Sequence, residues 1–221
     1  MTFILSHPDI VGALLLQHLQ MTGLALLIAI AIACPLALLI THYRWLQIPV
    51  LGALGILYTV PSLALIILLV PLLGLNANAV IAAMVLYAQV ILVRNIIVGL
   101  EQIDPAILEA ARGMGMNGWQ RWWQVQVPLV MPTFLAGLRL AAIVEIAIAT
   151  IGAKFGAGGL GVLLFDGIAQ AGRYDKIWAG TIAVSLLAFA LNGGLLVLEW
   201  VSRPGNRIDL NGKRLFLTSG R

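Results

Sequence analysis

Residues 109–128 read EAARGMGMNGWQRWWQVQVP, from Glu109 to Pro128. The stretch holds Glu109, Arg112 and Arg121 together with Trp119, Trp122 and Trp123. It lies inside a chain that is 61% hydrophobic and only 10% charged. Soluble domains carry about 25% charged residues. With a mean hydropathy of +1.01, there is too little polar side chain to cover a globule in water. The chain therefore reads as an all-α integral membrane protein, and the polar stretch divides its apolar runs into two groups.

A helix crosses the hydrocarbon core with roughly 20 apolar residues. About five spans meet that length, at about 18–40, 46–73, 77–100, 131–151 and 177–201. The second is long, and Pro61 in TVPSLAL is expected to kink it. Prolines and glycines do not exclude these spans, because neighbouring groups re-satisfy the backbone inside a membrane bundle. Between the spans lie a polar insert at 101–128 and a glycine-rich loop at 152–176. A basic tail follows at 202–221. The whole reads as one transmembrane domain over 1–221, without internal repeats.

Lysine and arginine positions orient the spans. Arg44, Arg94, Arg112, Arg121, Arg203, Arg207, Lys213, Arg214 and Arg221 fall on one side if the N-terminus is outside. Lys154, Arg173 and Lys176 fall on the other. The positive-inside bias then predicts N-terminus out and C-terminus in. The insert and tail become cytoplasmic, and the glycine-rich loop becomes external. The formal net charge of +4 reflects this bias rather than nucleic-acid binding. The first residues contain no Lys or Arg and no A-x-A pattern, so they are expected to stay in the mature chain. Cys34, the one cysteine, leaves no intrachain disulfide and reads as a packing residue.

Within the insert, Asp104-Pro105 is a helix start, with Asp as N-cap and Pro at the first helical position. Gly113 and Gly115 end that helix. Asn117 can cap a second short helix, and Pro128 and Pro132 are expected to introduce the fourth span. The tryptophans read as interfacial anchors. Ala110 and Ala111 are small enough to let a partner backbone approach, so the first helix suits a groove on another protein.

Glu109-Ala110-Ala111, three residues, Gly115, nine residues, then Val125-Gln126-Val127-Pro128 resembles the cytoplasmic motif of binding-protein-dependent ABC importer permeases, E-A-A-x3-G-x9-I-x-L-P. Val125 and Val127 depart from Ile and Leu but keep an apolar face. Five spans with this loop between the third and fourth look like the type I permease core. Further segments are similar to the osmoprotectant subfamily, whose solutes include glycine betaine, choline, carnitine and proline-like compounds. They are HLQMT at 18–22, TVPSLAL at 59–65, Arg94-Asn95, GLEQIDPAILEAARGMGM at 99–116, AGLRLA at 136–141 and ATIGAKFGAGGLG at 149–161. Methionine and other type I permeases share parts of this pattern, so a small-nutrient importer is the alternative within the class.

The resemblance implies that Glu109, Ala110, Ala111, Gly115 and Pro128 form the element that docks on cytoplasmic ATPase subunits. It implies two such subunits carrying ATP-Mg, a second permease subunit, identical or paralogous, and an extracytoplasmic solute-binding protein. The location implied is a prokaryotic cytoplasmic membrane. The sequence has no Walker A pattern, so no cofactor is expected on this chain. Alternating access driven by ATP binding and hydrolysis is the implied mechanism.

Candidate pathway or gate residues follow. GAGGLG, Gly156 to Gly161, sits in a loop after a span rather than after a strand, which disfavours phosphate binding. It reads either as a flexible turn using left-handed glycines or as a tight backbone near the external gate, built on Gly156, Gly158, Gly159 and Gly161. Glu145 lies mid-span, where an acidic group must face protein or water. It either lines the pathway for a cationic headgroup or is a structural or protonated carboxyl. Arg139, six residues earlier, is not its helical neighbour and is expected to snorkel to the interface. Pro61 and Ser62, with Tyr58 and Thr59, either line the pathway or back-bond carbonyls freed at the bend. His18 is expected to be interfacial. A membrane-embedded enzyme would need clustered His, Asp or Glu. His7, His18 and His42 are scattered, with no H-E-x-x-H, so no catalytic or metal-ligating set is assigned. A secondary transporter is disfavoured by length and by the lack of inverted repeats.

Overall fold

The computed structural model describes residues 2–170 and 172–202, and every structural statement below concerns these. The basic tail beyond Ser202 lies outside them. Ten α-helices carry the chain: α1 Thr2–Ser6, α2 Pro8–His42, α3 Gln47–Thr59, α4 Ser62–Leu73, α5 Ala77–Glu101, α6 Pro105–Gly113, α7 Gly118–Arg121, α8 Val127–Gly152, α9 Gly161–Ala169 and α10 Tyr174–Ser202. Among the described residues there is no strand. Four helical runs are long and apolar enough to cross a bilayer, and α3 with α4 makes a fifth if the bent pair counts as one.

The central element is α5. In its apolar stretch 61% of residues are buried, against 6% for α10 at the periphery. Helices meet where side chains are small, because lipid is as apolar as leucine and only close packing favours protein over lipid. The inward face of α2 is an alanine stripe, Ala25, Ala29, Ala33 and Ala37, all fully buried. The four-residue spacing keeps these positions on one side of the helix. The α5–α8 contact uses glycine on both helices. A Cβ at Gly137 would lie 2.6 Å from the Asn95 Cβ, one at Gly152 2.5 Å from Val80, and one at Gly99 2.9 Å from Val130. Any side chain at these three positions would push the helices apart.

The second span differs from its expected form. It is two helices, α3 of 13 residues and α4 of 12, meeting at 97°. At 1.5 Å per residue each measures only about 20 Å, too short to cross alone. The cause is local. A residue before proline is driven out of the helical region, and Val60 and Pro61 both take extended ψ values, 127° and 134°. Two consecutive extended residues turn the chain through a right angle, where a lone proline in a continuous helix only bends it. The carbonyl of Val60 is re-satisfied by the Tyr87 hydroxyl of α5. Thr59 Oγ1 back-bonds Ile56 at 2.7 Å, whereas no hydrogen bond is assigned to the Ser62 hydroxyl.

The start of the fourth span also differs. Pro128 and Pro132 do not separate it from the insert, because helix runs on through 38 residues, Gly118–Phe155. Trp122–Gln126 is a π-helical turn between α7 and α8, with Val127 N–H donating to the Trp122 carbonyl. Proline lacks an N–H and its ring crowds the carbonyl four residues back. A widened turn just before Pro128 absorbs that residue without breaking the rod.

Candidate functional site

Two junctions stand at opposite ends of α8, a helix of 26 residues and therefore about 39 Å long. The first is the 101–126 segment. Asp104 caps α6 by accepting the Ala106 N–H at 2.9 Å, and Pro105 occupies the first turn. The helix closes with a Schellman motif. Met116 N–H donates to Ala111 O at 3.1 Å and Gly115 N–H to Arg112 O at 2.9 Å, while Gly115 takes φ +80°. That left-handed conformation is the reason for glycine there, since a Cβ would meet nothing within 4 Å. Asn117 and Gln120 then form a reciprocal capping box at 2.8 and 2.9 Å. Arg121 Nη1 donates to Met116 O at 3.1 Å, tying the next helix back to the turn.

Exposure divides the motif residues. Glu109, Ala110, Gly115 and Pro128 are exposed, whereas Ala111 is 1% exposed. Ala111 therefore packs inside the chain, and of the two alanines only Ala110 is exposed. Helical spacing explains the split, because adjacent positions on a helix lie about 100° apart. Trp119 and Trp123 are exposed and meet edge to face at 5.5 Å. Trp122 and Trp123 both line an apolar cavity of about 280 Å³ with Cys34, Leu38, Ile96 and Phe134.

The second junction is the glycine loop. Gly156, Gly158 and Gly159 have φ of +75°, +78° and +78°. Gly159 N–H donates to Gln17 Oε1 at 3.1 Å, and Leu160 N–H to His18 Nδ1 at 3.3 Å. A Cβ at Gly158 would lie 2.5 Å from Gln17 Oε1, and one at Gly161 2.1 Å from the Thr150 carbonyl oxygen. At Gly156 the neighbour would be Leu75 O, 3.1 Å away, in the α4–α5 turn. Leu160 is fully buried with Ile146 of α8 and Leu187 of α10. The loop is thus a fixed knot where α2, α8, α10 and the α4–α5 turn converge, not a flexible turn. His18 is 0% exposed, which corrects its expected interfacial position. Gln17 carried no sequence signal. The pairing joins residues 142 positions apart, and no local pattern encodes it.

The charged residues within the spans are also placed. Arg139 pairs with Glu199 of α10 at 3.4 Å, with side chains 27% and 8% exposed, so it does not snorkel free to the interface. Glu145 is 0% exposed, and neither of its carboxyl oxygens has a hydrogen-bond partner. It is enclosed by helices within this chain. No hydrogen bond or ion pair among the described residues joins it to Pro61, Ser62 or the glycine loop.

Comparisons with known proteins fit this architecture. Residues 25–199 match the family described as "Binding-protein-dependent transport system inner membrane component". The chain is 37% identical over 207 residues to the osmoprotectant import permease protein OsmW of Salmonella typhimurium, covering 91% of this chain and 96% of that one. It is 37% identical to the carnitine transport permease protein OpuCB of Listeria monocytogenes, covering 85% and 86%. The choline transport system permease protein OpuBD of Bacillus subtilis is 34% identical, with 85% and 81% covered. Among solved structures, the inward-facing MetNI methionine ABC transporter superposes with a TM-score of 0.79 at 18% identity, covering 89% of this chain and 98% of that one. At that identity the likeness concerns the fold. The chain belongs to the binding-protein-dependent transport system inner membrane component family, as a multi-pass permease with the type I ABC importer fold.

Proposed function

We propose that the chain is the transmembrane subunit of an ABC importer for compatible solutes, with glycine betaine, choline and carnitine as the substrate class. The observation that carries this reading is the 37% identity to an osmoprotectant import permease along 96% of that protein's length. The methionine alternative draws on shared parts of the motif pattern and on a fold likeness at 18% identity, so the compatible-solute reading is preferred.

In this reading the chain supplies no ATP site of its own. Two cytoplasmic ATPase subunits bind ATP-Mg and receive the exposed face of α6, with Glu109 and Ala110 as contacts. Ala111 and Gly115 hold the shape of that face, and Pro128 fixes the widened turn that leads into α8. A second permease subunit, identical or paralogous, faces this one, because five crossings enclose too little for a solute path. The N-terminus lies outside and the C-terminus inside. The glycine loop then faces the external solute-binding protein, and the Val60-Pro61 bend, with Ser62 beside it, borders the pathway. A rigid rod about 39 Å long joins the two junctions. It offers a direct route for nucleotide-driven movement of α6 to reach the external side, as alternating access requires.

The deciding experiment is uptake of radiolabelled choline or glycine betaine. The chain is reconstituted in proteoliposomes with its partner permease, ATPase and solute-binding protein. ATP-dependent accumulation is expected. Accumulation of methionine alone would overturn the substrate assignment.

A further inference from the structure

We propose that Gln17 and His18 are positioning residues that latch the glycine loop to the first span, so that the loop and the outer part of α2 move as one body during transport. The proposal rests on the importer reading above and deepens it at one junction.

Four observations converge on the latch. First, two adjacent side chains of α2 accept from two successive backbone donors, Gly159 N–H at 3.1 Å and Leu160 N–H at 3.3 Å. Adjacent positions on a helix point about 100° apart, so both bonds form only if the loop backbone wraps across the helix. Second, the fit is close. A Cβ at Gly158 would lie 2.5 Å from Gln17 Oε1, and one at Gly159 3.0 Å from His18 Nδ1. Two left-handed glycines, both at φ +78°, turn their peptide planes so that the donors face α2. Third, the inner bond is sheltered. His18 and Leu160 are both 0% exposed, and a sheltered backbone N–H needs a partner because water cannot replace it. The exposed Gln17 closes the latch at its part-buried outer edge. Fourth, the loop is anchored on its other side. Leu160 packs with Ile146 and Leu187, with Leu14 and Leu15 of α2 against that cluster, and Gly161 sits against Thr150 O.

This arrangement fixes the chemistry at His18. The ring must offer the lone pair of Nδ1 to Leu160, so its proton resides on Nε2. An oxygen acceptor in the same place would serve equally. The latch therefore requires acceptors, not an imidazole or an amide as such, and this separates it from a simple packing role.

The test uses the complete importer in proteoliposomes, with its ATPase and solute-binding protein, and reads solute transported per ATP hydrolysed. Gln17→Ala should assemble but lower that ratio at least fivefold, whereas Gln17→Glu and His18→Asn, which keep an oxygen acceptor, should stay within twofold of wild type. A Gln17→Cys, Ala157→Cys pair in a Cys34→Ser background should be uncoupled when reduced. A short bifunctional cross-linker should restore its coupling, because a covalent tie replaces the lost bonds. Gln17→Ala with an unchanged ratio, or a cross-linked pair that no longer transports, would overturn the latch. A wild-type complex whose ATP hydrolysis ignores the binding protein would instead overturn the importer reading.

Discussion

The Tyr87 hydroxyl donates a hydrogen bond to the carbonyl of Val60, fastening the break in the second span to the central helix. Val60 cannot use that carbonyl in a regular helix, because Pro61 begins a new helix at 97° to the old one. Tyr87 is 7% exposed and its ring lies 5.3 Å from that of Tyr58. The bend is therefore held by a tertiary contact as well as by proline geometry. Tyr87→Phe should leave the carbonyl unsatisfied and destabilise the bend by about 1–3 kcal/mol. Thermal unfolding of the detergent-solubilised complex checks this. A midpoint unchanged from wild type would assign the bend to Val60-Pro61 alone.

Gly115 is required for its backbone, not for space. Its φ of +80° closes the Schellman motif, and a Cβ there would meet nothing within 4 Å. Gly115→Ala should therefore strain the turn by roughly 1–2 kcal/mol while leaving membrane insertion intact. Gly115→Val should be worse, since β-branched residues tolerate that region least. The expected readout is a loss of binding-protein-stimulated ATP hydrolysis at unchanged membrane abundance.

Exposure on α6 predicts unequal effects along the motif. Glu109 and Ala110 face outward and Ala111 inward. Glu109→Lys should abolish co-purification with the ATPase subunits without altering the fold of the permease. Ala111→Leu should instead disturb the loop itself, since overpacking a filled site costs about 1–3 kcal/mol. Protease sensitivity of the 105–117 segment separates the two outcomes: unchanged for Glu109→Lys, raised for Ala111→Leu.

Arg139 and Glu199 join α8 to α10 at 3.4 Å. Removing one partner of a buried ion pair costs about 3–5 kcal/mol, because the other charge is left uncompensated. The loss here should fall below that range, since the Arg139 side chain is 27% exposed. Glu199→Leu alone should lower the thermal midpoint, because it takes the carboxylate away from the Arg139 guanidinium, and adding Arg139→Leu should recover part of the loss. Absence of recovery would mean that the pair does not act as a unit.

Glu145 separates two readings of span four. Its carboxyl is enclosed within the chain and without a hydrogen-bond partner among the described residues. Glu145→Gln keeps the shape and is expected to leave the KM for choline within twofold. A tenfold rise in KM for choline, without a change for a zwitterionic solute, would restore the pathway role.

Local chemistry was legible where neighbouring residues carry it. The Asp104-Pro105 start of α6, the glycine stop and the Asn117 cap of α7 all depend on bonds spanning a few residues. The motif from Glu109 to Pro128 marks the family for the same reason, as fixed spacing along one segment. Legibility failed where a signal had two local outcomes. Proline can kink a helix, break it or be absorbed in a π turn, and Pro61 and Pro128 took different courses. It failed again for His18, since an apolar run flanking a histidine reads the same whether the ring meets lipid headgroups or a distant loop.

The sequence by itself determined the membrane class, the apolar segments and the positions of the capping and turn residues. These follow from composition and from interactions within one helical turn. Only the tertiary structure decided that Ala111 faces inward, that Arg139 meets Glu199, that Glu145 is enclosed, and that Gln17 and His18 hold the glycine loop. Each of these depends on which helix lies alongside another. In a membrane that choice rests on close packing of small residues and on pairing of buried polar groups, and neither can be read from one segment alone.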